Sequence, residues 1–346
     1  MINVGIVGAT GYAGEMLVWL LHKHPNVKIQ FLASKNHDKE EYDTLYKNFF
    51  NLFNNKCTSI DKIISHMPKV DLIFTALPHG KSFELVKTAL DNNIKVIDIG
   101  SDYRIKDSHI YSKWYNVPHK YPDFLKTSVY GLPEVMPKDV IKTSNLIANP
   151  GCYPTASILA LAPLLKYNLI DENSIIIDAK SGVSGAGRSA LINTLFCECN
   201  ESIKAYNIGC HRHTPEIEQQ LSLEANKNIN ISFTPHLVPM NRGILATCYA
   251  SLKNDLSKDT ILNYYKEYYK NEQFLRLTET VPETRWVKNS NFCDINFQID
   301  KRTNRIIIVS AIDNVVKGAA GQAVQNMNIM FGFPEATSLD MIPIFP

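Results

Sequence analysis

A cysteine with the surroundings of a nucleophile lies in the segment Asn149-Pro150-Gly151-Cys152-Tyr153-Pro154. A Pro-Gly turn precedes Cys152 and an apolar run, 157–162, follows it, so the thiol is predicted in or just before the first turn of a helix. Unpaired N–H groups and the helix dipole stabilise a thiolate there, and a thiolate attacks carbonyl carbon. The alternative is a small buried cysteine that only fills space near a helix start.

A glycine-rich segment near the N-terminus favours the interpretation of Cys152 as a nucleophile, because this segment predicts a dinucleotide-binding site in the same chain. Its glycines have the spacing GxxGxxG between a predicted strand, Ile2–Val7, and a predicted helix, Gly14–His24. Such glycines permit a tight turn, close approach of a pyrophosphate and close packing of helix on strand. A plain strand–helix turn is the alternative. The residues predicted to bind the cofactor here are Gly8, Ala9, Thr10, Gly11, Tyr12, Ala13 and Gly14.

The end of the second predicted strand, Val27–Ala33, indicates NADP(H) as the cofactor. NAD enzymes place Asp or Glu there to hold the ribose 2′-hydroxyl, but no acidic residue occurs between Glu15 and Asp38. Ser34 and Lys35 follow the strand instead, and a hydroxyl beside a cation suits a 2′-phosphate. An incidental lysine in a polar loop is the alternative.

The first half of the chain alternates short apolar runs with helical patterns. Val70–Ala76 and Lys95–Ile99 are further predicted strands, and Lys81–Asn92 is a predicted helix between them. This βαβ rhythm predicts a parallel sheet with helices on both faces, in a Rossmann-type NADP-binding domain over residues 1–150. The turn that follows the strand 70–76 is expected to line the same crevice with Ala76, Leu77 and Pro78.

The pattern changes after Pro150, where strand follows strand with less helix between. An α+β domain with a mainly antiparallel sheet is therefore predicted over 151–316. A C-terminal segment, 317–346, is expected to complete the first domain. The predicted strands are Ser174–Ala179, Ile229–Leu237, Ile244–Leu252, Asn291–Ile299 and Arg305–Ile312, and the predicted helices are Thr155–Tyr167, Thr260–Tyr269 and Ala319–Met330.

Composition excludes several classes of protein. The 346 residues are 45% hydrophobic and 20% charged, which predicts about two globular domains. The net charge of +2 gives no support for a nucleic-acid or membrane-surface partner, and no apolar run reaches the roughly 18 residues that span a bilayer. The seven cysteines lack zinc-site spacing, so a cytoplasmic enzyme with reduced thiols and no structural metal is expected.

Proton transfer beside a thiolate suits histidine, whose pKa lies near working pH. His211 and His213 are the candidates, and alternate spacing on an extended segment would put them on opposite sides, so only one is expected to reach Cys152. Glu216 is a candidate to orient an imidazole or bind substrate. The alternative is a helix start with Thr214 as N-cap.

Arginines are candidates for the anionic groups of a substrate, because a guanidinium binds phosphate and carboxylate bidentately. Of the three candidates, Arg242 is favoured for substrate, since Gly243 and a predicted strand follow it. The candidates are Arg104, Arg188 and Arg242.

Together these motifs resemble the N-acetyl-γ-glutamyl-phosphate reductases (N-acetylglutamate semialdehyde dehydrogenases), a family of arginine biosynthesis. The resemblance runs from end to end of the chain. Aspartate-semialdehyde dehydrogenases share the architecture, but their nucleophile motif resembles Asn-Cys-Ser/Thr rather than Pro-Gly-Cys-Tyr-Pro, and Ile99-Gly100 is a mild departure from the reductases' Leu-Ser. The matching segments are 8–14, 76–80, 98–104, 130–134, 149–156, 181–188, 211–216, 238–243 and 313–322.

The resemblance implies a semialdehyde dehydrogenase-like fold and the NADPH-dependent reduction of N-acetyl-γ-glutamyl phosphate to N-acetylglutamate 5-semialdehyde, through a thioester on Cys152 and with release of inorganic phosphate. It implies His213 as the acid/base and His211 as a substrate contact. It implies Asn314 as a contact of the nicotinamide carboxamide, residues 151–316 as the catalytic and dimerisation domain, and a homodimer or homotetramer. A glycine loop is expected near the cofactor through Ser181, Gly182 and Gly185.

Three alternatives stay open at this point. An aminoadipyl-phosphate reductase of lysine biosynthesis would use a substrate one methylene longer, and a pocket discriminates a methylene by only about 1–3 kcal/mol. An aspartate-semialdehyde dehydrogenase-like enzyme would share the architecture. A non-catalytic NADP-binding regulator would be expected to lose Cys152 or the histidines, which this chain keeps.

Overall fold

The computed structural model describes residues 1–345, and the chain forms two compact units. The first comprises Met1–Pro150 and Ala319–Asp340, and the second comprises Gly151–Gly318 and the residues from Met341 onward. The division after Pro150 falls where the strand pattern of the sequence changes.

The C-terminal segment 317–346 is divided, although the sequence assigned all of it to the first domain. Within this segment, residues 317–318 and the residues from Met341 onward belong to the second unit, whereas Ala319–Asp340 belong to the first. At the end of the chain the physical reason is a hydrogen bond within the second unit. The N–H of Ile344 donates to the carbonyl of Lys288 at 3.3 Å.

The first unit contains a seven-stranded sheet in which every neighbouring pair is parallel. The strand order is β3-β2-β1-β4-β5-β7-β6, so the winding reverses between β1 and β4. Ligands of such sheets bind outside the carboxyl ends of the strands at that switch point. The strands are β1 Ile2–Val7, β2 Val27–Ser34, β3 Cys57–Ser59, β4 Leu72–Thr75, β5 Lys95–Asp98, β6 Val129–Tyr130 and β7 Leu146–Ala148.

Both faces of this sheet are buried, as the βαβ rhythm predicted. Ile73 and Val96 join a core cluster with side chains of the helices α3 to α6, whereas their strand neighbours Phe74 and Ile97 are buried on the opposite face. The helices α1, α7 and α12 pack together in the same unit. The helices of this unit are α1 Tyr12–Leu21, α2 Tyr42–Leu45, α3 Ile60–Ser65, α4 Phe83–Asp91, α5 Ser108–Tyr115, α6 Pro122–Thr127, α7 Lys138–Thr143 and α12 Gly321–Met330.

The second unit contains a seven-stranded sheet of order β12-β13-β14-β11-β8-β10-β9. Most neighbours are antiparallel, as predicted, but β8–β10 and β12–β13 are parallel, so the sheet is mixed. The strands are β8 Ile170–Ser181, β9 Lys204–Ala205, β10 Ser232–Leu237, β11 Ile244–Leu252, β12 Leu275–Leu277, β13 Cys293–Asp300 and β14 Arg305–Ile312. The helices are α8 Cys152–Lys166, α9 Phe196–Cys199, α10 Thr214–Ala225 and α11 Lys258–Tyr268.

The helix α8 is the central helix of this unit. Every residue from Tyr153 to Leu165 is buried, which matches a sequence that is apolar all round rather than on one face. It packs on β11, β14 and α10, and Tyr265 and Tyr269 donate hydroxyl bonds to its carbonyl groups at 2.5 and 2.7 Å. These contacts hold the middle of α8 in the core of the second unit.

Candidate active site

The loop between β1 and α1 has the shape that the glycine spacing predicts. Gly8 has φ +87°, and a Cβ there would lie 2.4 Å from the carbonyl oxygen of Ala76. A Cβ on Gly14 would lie 2.2 Å from the carbonyl oxygen of Gly8, whereas one on Gly11 would meet nothing nearer than 3.6 Å. The protein itself requires the first and third glycines. A Cβ on Gly11, the N-cap of α1, would make only ordinary van der Waals contact, and Gly11 lies beside the first N–H groups of a helix, where an anion binds.

Hydroxyl groups hold this loop in place. Tyr42 and Tyr46 donate to the carbonyl oxygens of Ala9 and Thr10, each at 2.9 Å. The hydroxyl of Thr10 is 2.7 Å from that of Ser34, which is buried at the end of β2, and Lys35 follows as an exposed side chain. The loop and the predicted 2′-phosphate residues thus lie together, and the two tyrosines are contacts that sequence reasoning missed.

A buried acidic pair supports the turn after β4. Asp98 accepts hydrogen bonds from Thr75 (3.0 Å) and from the N–H of Gly100 (3.3 Å), and burial, with the nearby Asp102 charge adding, raises its pKa well above the usual range. Asp102 accepts from the N–H of Gly80 and the hydroxyl of Ser82, both at 2.7 Å. Asp102 thereby fixes the end of the turn that contains Ala76, Leu77 and Pro78.

Arg104 lies against backbone carbonyls, although the sequence assigned it to substrate. Its Nε donates to the carbonyl of Asn149 (2.8 Å) and its Nη2 to that of Ile99 (2.7 Å), and the residue is only 6% exposed. The side chain of Asn149 in turn donates to the carbonyl of Ala319 (3.0 Å) and accepts from Asn326 (3.0 Å). This geometry favours a positioning role, because the guanidinium holds the backbone just ahead of Pro150.

Cys152 is the first residue of α8, which confirms its predicted place in the first helical turn. It is partly exposed, while the helix after it is buried. Gly151, the N-cap, donates its N–H to the Glu216 carboxylate at 2.8 Å, and Glu216 is fully buried. A Cβ on Gly318 would lie 2.7 Å from the Cβ of Cys152. Cys152, the candidate nucleophile, therefore packs closely against Gly318, and the Glu216 side chain holds its turn.

The two histidine rings lie on the same side, so the predicted alternation was wrong. Residues 209–213 form a turn rather than an extended strand, and the N–H of His213 donates to Nδ1 of His211 at 3.1 Å. The ring centres are 4.9 Å apart, and both rings contact the edge or face of Tyr153, at 5.6 and 6.0 Å. The helix α10 then begins at Thr214, with His213 rather than Thr214 as N-cap.

The surroundings of the two histidines separate their chemistry. Burial, with the charge of Arg212 adding, lowers the pKa of His211 to about 4. His211 is therefore neutral near neutral pH and is poorly placed to exchange a proton with a reacting group there. This leaves His213 as the better acid/base candidate.

A pair of phenols lies next to the histidines and the thiol. Tyr206 donates its hydroxyl to that of Tyr153 at 3.1 Å, and Tyr153 donates to the carbonyl of His236 at 3.2 Å. Burial raises the pKa of Tyr206 to about 12, and a charge on Cys152 is among the further causes, as it is for the raised pKa of Tyr153. Both groups therefore stay phenols within electrostatic reach of the sulfur, and neither was predicted as a site residue.

The glycine loop after β8 is joined to the loop before β11. Gly182 donates its N–H to the carbonyl of Gly243 at 3.0 Å, next to the Ser181 hydroxyl and Gly185. Asn314 accepts from the N–H of Gly243 (2.7 Å) and donates to the hydroxyl of Ser184 (3.0 Å). Both ends of the Asn314 amide thus join the two loops. The sequence predicted Asn314 as a contact of the nicotinamide and did not predict these hydrogen bonds.

The remaining arginines differ in how they are held. Arg242 donates from Nη1 to Asn289 (2.9 Å) and lies 3.5 Å from the fully buried Asp313, with 22% of its side chain exposed. Arg188 lies in an exposed segment. A guanidinium anchored at one edge and accessible elsewhere suits an anionic ligand, so the geometry favours Arg242 over Arg188.

Over residues 1–345, no group of three or more His, Cys, Asp or Glu side chains could hold a metal ion. In the same residues, no helix combines the length and apolar character that a membrane crossing requires.

Comparison with known proteins places the chain in a class. Residues 3–143 match the NAD-binding domain family of semialdehyde dehydrogenases, and residues 152–314 match their dimerisation domain family. The fold is also that of aspartate semialdehyde dehydrogenase II from Vibrio cholerae (TM-score 0.72, 19% identity, 96% of this chain and 98% of that one). The Candida albicans aspartate semialdehyde dehydrogenase with NADP is similar too (TM-score 0.71, 16% identity, 96% and 98%). The fold and the cysteine site define a semialdehyde dehydrogenase.

Closer relatives give the family. The chain is 55% identical to the N-acetyl-gamma-glutamyl-phosphate reductase of Clostridium novyi, over 99% of both chains, and 52% identical to that of Campylobacter jejuni, over 98% of both. The chain belongs to the N-acetyl-γ-glutamyl-phosphate reductase family, which confirms the resemblance drawn from the motifs.

Proposed function

We propose that this chain reduces N-acetyl-γ-glutamyl phosphate to N-acetylglutamate 5-semialdehyde with NADPH and releases inorganic phosphate, a step of arginine biosynthesis. The observation that carries the proposal is a partly exposed Cys152 at the first position of α8, in a turn held by Glu216, in a chain that is more than half identical to a reductase of this name. The glutamyl substrate is preferred to the aminoadipyl one because the curated relatives carry the glutamyl name.

The first unit has residues that fit NADP(H). The first N–H groups of α1, beside Gly11, suit the pyrophosphate, and Ser34 with Lys35 suits a 2′-phosphate. Ala76, Leu77 and Pro78 follow the neighbouring strand. When bound, NADPH supplies the hydride that lowers the acyl group to the oxidation level of an aldehyde.

The residues of the second unit carry the covalent chemistry. The sulfur of Cys152 bonds to the acyl carbon, the carbon–oxygen bond to phosphate breaks, and the departing phosphate takes up a proton. This gives a thioester on the enzyme, so one difficult displacement becomes two easier steps. N–H groups in the first turn of α8 stabilise the tetrahedral oxyanion.

Proton transfer accompanies the second half of the reaction. His213 gives a proton to the oxygen of the thiohemiacetal and takes it back as the carbon–sulfur bond breaks, which releases the semialdehyde and regenerates the thiolate. His211 stays neutral and contacts substrate. Glu216 acts through the Gly151 N–H rather than on substrate, and Arg242 binds an anionic group of the substrate.

The oligomeric state and the cellular location are separate parts of the proposal. A match to a dimerisation domain family over 152–314 supports an oligomer, and homodimer or homotetramer is our proposal for it. The cytoplasmic location stays a prediction.

The test is NADP⁺-dependent oxidation of N-acetylglutamate semialdehyde in phosphate buffer. Cys152→Ala should abolish turnover, whereas the matched control Cys197→Ala, at another cysteine of the second unit that is exposed, should keep it. Full turnover in Cys152→Ala would overturn the thioester mechanism. The aminoadipate analogue, run beside the natural substrate, should react more slowly, and a faster reaction would overturn the substrate assignment.

A further inference from the structure

Asp313, directly after β14, is a fully buried acidic residue of the second unit. A buried carboxyl group is costly unless donors surround it, and here donors reach both oxygens. Oδ1 accepts the N–H groups of Val315 (2.8 Å) and Val316 (3.0 Å). Oδ2 accepts the N–H of Asn289 (2.8 Å) and lies 3.5 Å from Nη1 of Arg242. These partners are all donors, which is the hydrogen-bonding pattern that suits an ionised carboxylate.

The Oδ1 side of Asp313 fixes the turn that packs on Cys152. The N–H groups that it accepts, two and three residues further along the chain, are those that an N-cap side chain satisfies at a helix start. The carbonyl of Asp313 also accepts the N–H of Gly318 at 2.9 Å, which is the hydrogen-bond span of a π-turn. A Cβ on Gly318 would lie 2.7 Å from the Cβ of Cys152. A shift of this turn toward α8 would therefore displace the carbon that carries the sulfur.

The Oδ2 side of Asp313 fixes Arg242. In the antiparallel pair of β11 and β14, Ile244 faces Ile312, so the residue after β14 meets the residues just before β11. Arg242 donates from Nη1 to the side chain of Asn289 at 2.9 Å, and the N–H of Asn289 is itself held by Asp313. Asp313 thus holds the guanidinium both directly and through Asn289, while 22% of the Arg242 side chain stays exposed.

We propose that Asp313 is a positioning residue that places the anion site of the substrate and the nucleophile relative to each other. This rests on the proposed function, in which Arg242 binds an anionic group of the substrate and Cys152 bonds to its acyl carbon. Asp313 acts through Arg242 and through the turn at Gly318 rather than on the substrate. Because misplacement by about 1 Å costs up to roughly 100-fold in rate, one side chain that sets both groups controls how the acyl carbon meets the sulfur.

The variant Asp313→Asn should separate the two sides. Its one amide oxygen keeps the N–H groups of Val315 and Val316, whereas its NH₂ group faces the donors of Asn289 and Arg242 and cannot accept from them. The assay is NADP⁺-dependent oxidation of N-acetylglutamate semialdehyde. The KM for the anion that Arg242 binds, either the semialdehyde or phosphate, should rise roughly tenfold, while kcat changes by less than about threefold. Asp313→Ala removes both sets of hydrogen bonds, so kcat should also fall, by roughly tenfold or more.

A double-mutant cycle with Arg242→Gln distinguishes positioning from a general loss of stability. If Asp313 acts through the guanidinium, Asp313→Asn should add little to the KM increase of Arg242→Gln, whereas independent effects multiply. The matched control is Asp294→Asn, at an aspartate of the same sheet that is 1% exposed and that Arg276 contacts at 2.6 and 2.8 Å. Its KM values should equal those of the wild type. An unchanged KM in Asp313→Asn, multiplied effects in the cycle, or an equal rise in Asp294→Asn would overturn the proposal.

Crystal structures of the variants test the positioning without any turnover. Asp313→Ala should displace the Arg242 guanidinium and the backbone at Gly318 by about 1 Å or more, whereas Asp294→Asn should leave both in place. Asp313→Asn should displace the guanidinium alone, and it serves as the test if Asp313→Ala does not fold. An unmoved guanidinium in both Asp313 variants would overturn the proposal. If the wild type does not oxidise the semialdehyde, the proposed function fails, and these structures still decide whether Asp313 holds Arg242 and the turn.

Discussion

The Glu216 carboxylate accepts the N–H of Gly151 at 2.8 Å, immediately before the nucleophile. A fully buried side chain thus holds the turn that places Cys152 at the start of α8. Because both residues are buried, loss of the acceptor would leave an N–H group without its partner. That links the stability of the second unit to the position of the thiol.

Replacement of Glu216 should separate positioning from proton transfer. Glu216→Gln keeps an oxygen that accepts the Gly151 N–H, so most activity should remain, whereas Glu216→Ala should lower stability by about 1–3 kcal/mol and slow alkylation of Cys152. Urea unfolding and the rate of iodoacetamide labelling measure the two effects. If Glu216→Gln loses as much activity as Glu216→Ala but is as stable as the wild type, the carboxylate takes part in the chemistry.

The low pKa of His211 should make stability depend on pH. The folded chain binds its proton only near pH 4, because burial and Arg212 oppose the charge, while the unfolded chain binds it near 6.5. The unfolded state therefore gains protons first, and the free energy of unfolding falls as pH falls through this window. His211→Gln should show a shallower fall in urea unfolding measured from pH 6.5 to pH 4. Identical slopes in both proteins would contradict the assignment.

The glycines of the first loop should respond differently to alanine. Gly14→Ala places a Cβ 2.2 Å from the Gly8 carbonyl and should destabilise by roughly 1–3 kcal/mol. Gly11→Ala meets no such contact and should cost less than about 1 kcal/mol, but its methyl group occupies space assigned to the pyrophosphate and should weaken NADPH binding. Urea unfolding and fluorescence titration with NADPH distinguish the two, and unchanged NADPH affinity in Gly11→Ala would exclude the pyrophosphate from that position.

Lys35 should set the preference for NADPH over NADH. Lys35→Ala removes a charge-assisted contact, worth about 1.5 kcal/mol or more, and should raise the KM for NADPH roughly tenfold with little effect on NADH. Lys28→Ala, at an exposed lysine in β2, the strand that ends just before Lys35, is the control and should behave as the wild type. Equal changes with both cofactors would mean that Lys35 does not meet the 2′-phosphate.

The sequence predicted those features that depend on neighbours along the chain. The glycine loop, the long strands and the helix that begins at Cys152 each have a local pattern, and the structure confirms them. Strands as short as Cys57–Ser59 and Leu146–Ala148 contain too few residues to show a period. The aspartate-semialdehyde dehydrogenase alternative shares the fold only, since its solved examples are under 25% identical.

What the sequence missed at the site depends on contacts between distant segments or on one local turn. Arg104 and Asn314 find their partners 45 and 71 residues away, and no spacing rule anticipates such pairs. The histidines were placed on opposite sides by a rule for extended backbone, which the hydrogen bond from the His213 N–H to His211 invalidates.

The closeness of Gly318 to Cys152 has a consequence for any survey of variants. A methyl group at 318 would press on the carbon that carries the sulfur, at 2.7 Å, so even the smallest replacement displaces the reacting atom. A loss-of-activity screen should therefore identify position 318, where glycine supplies no functional group and is required only because it has no side chain.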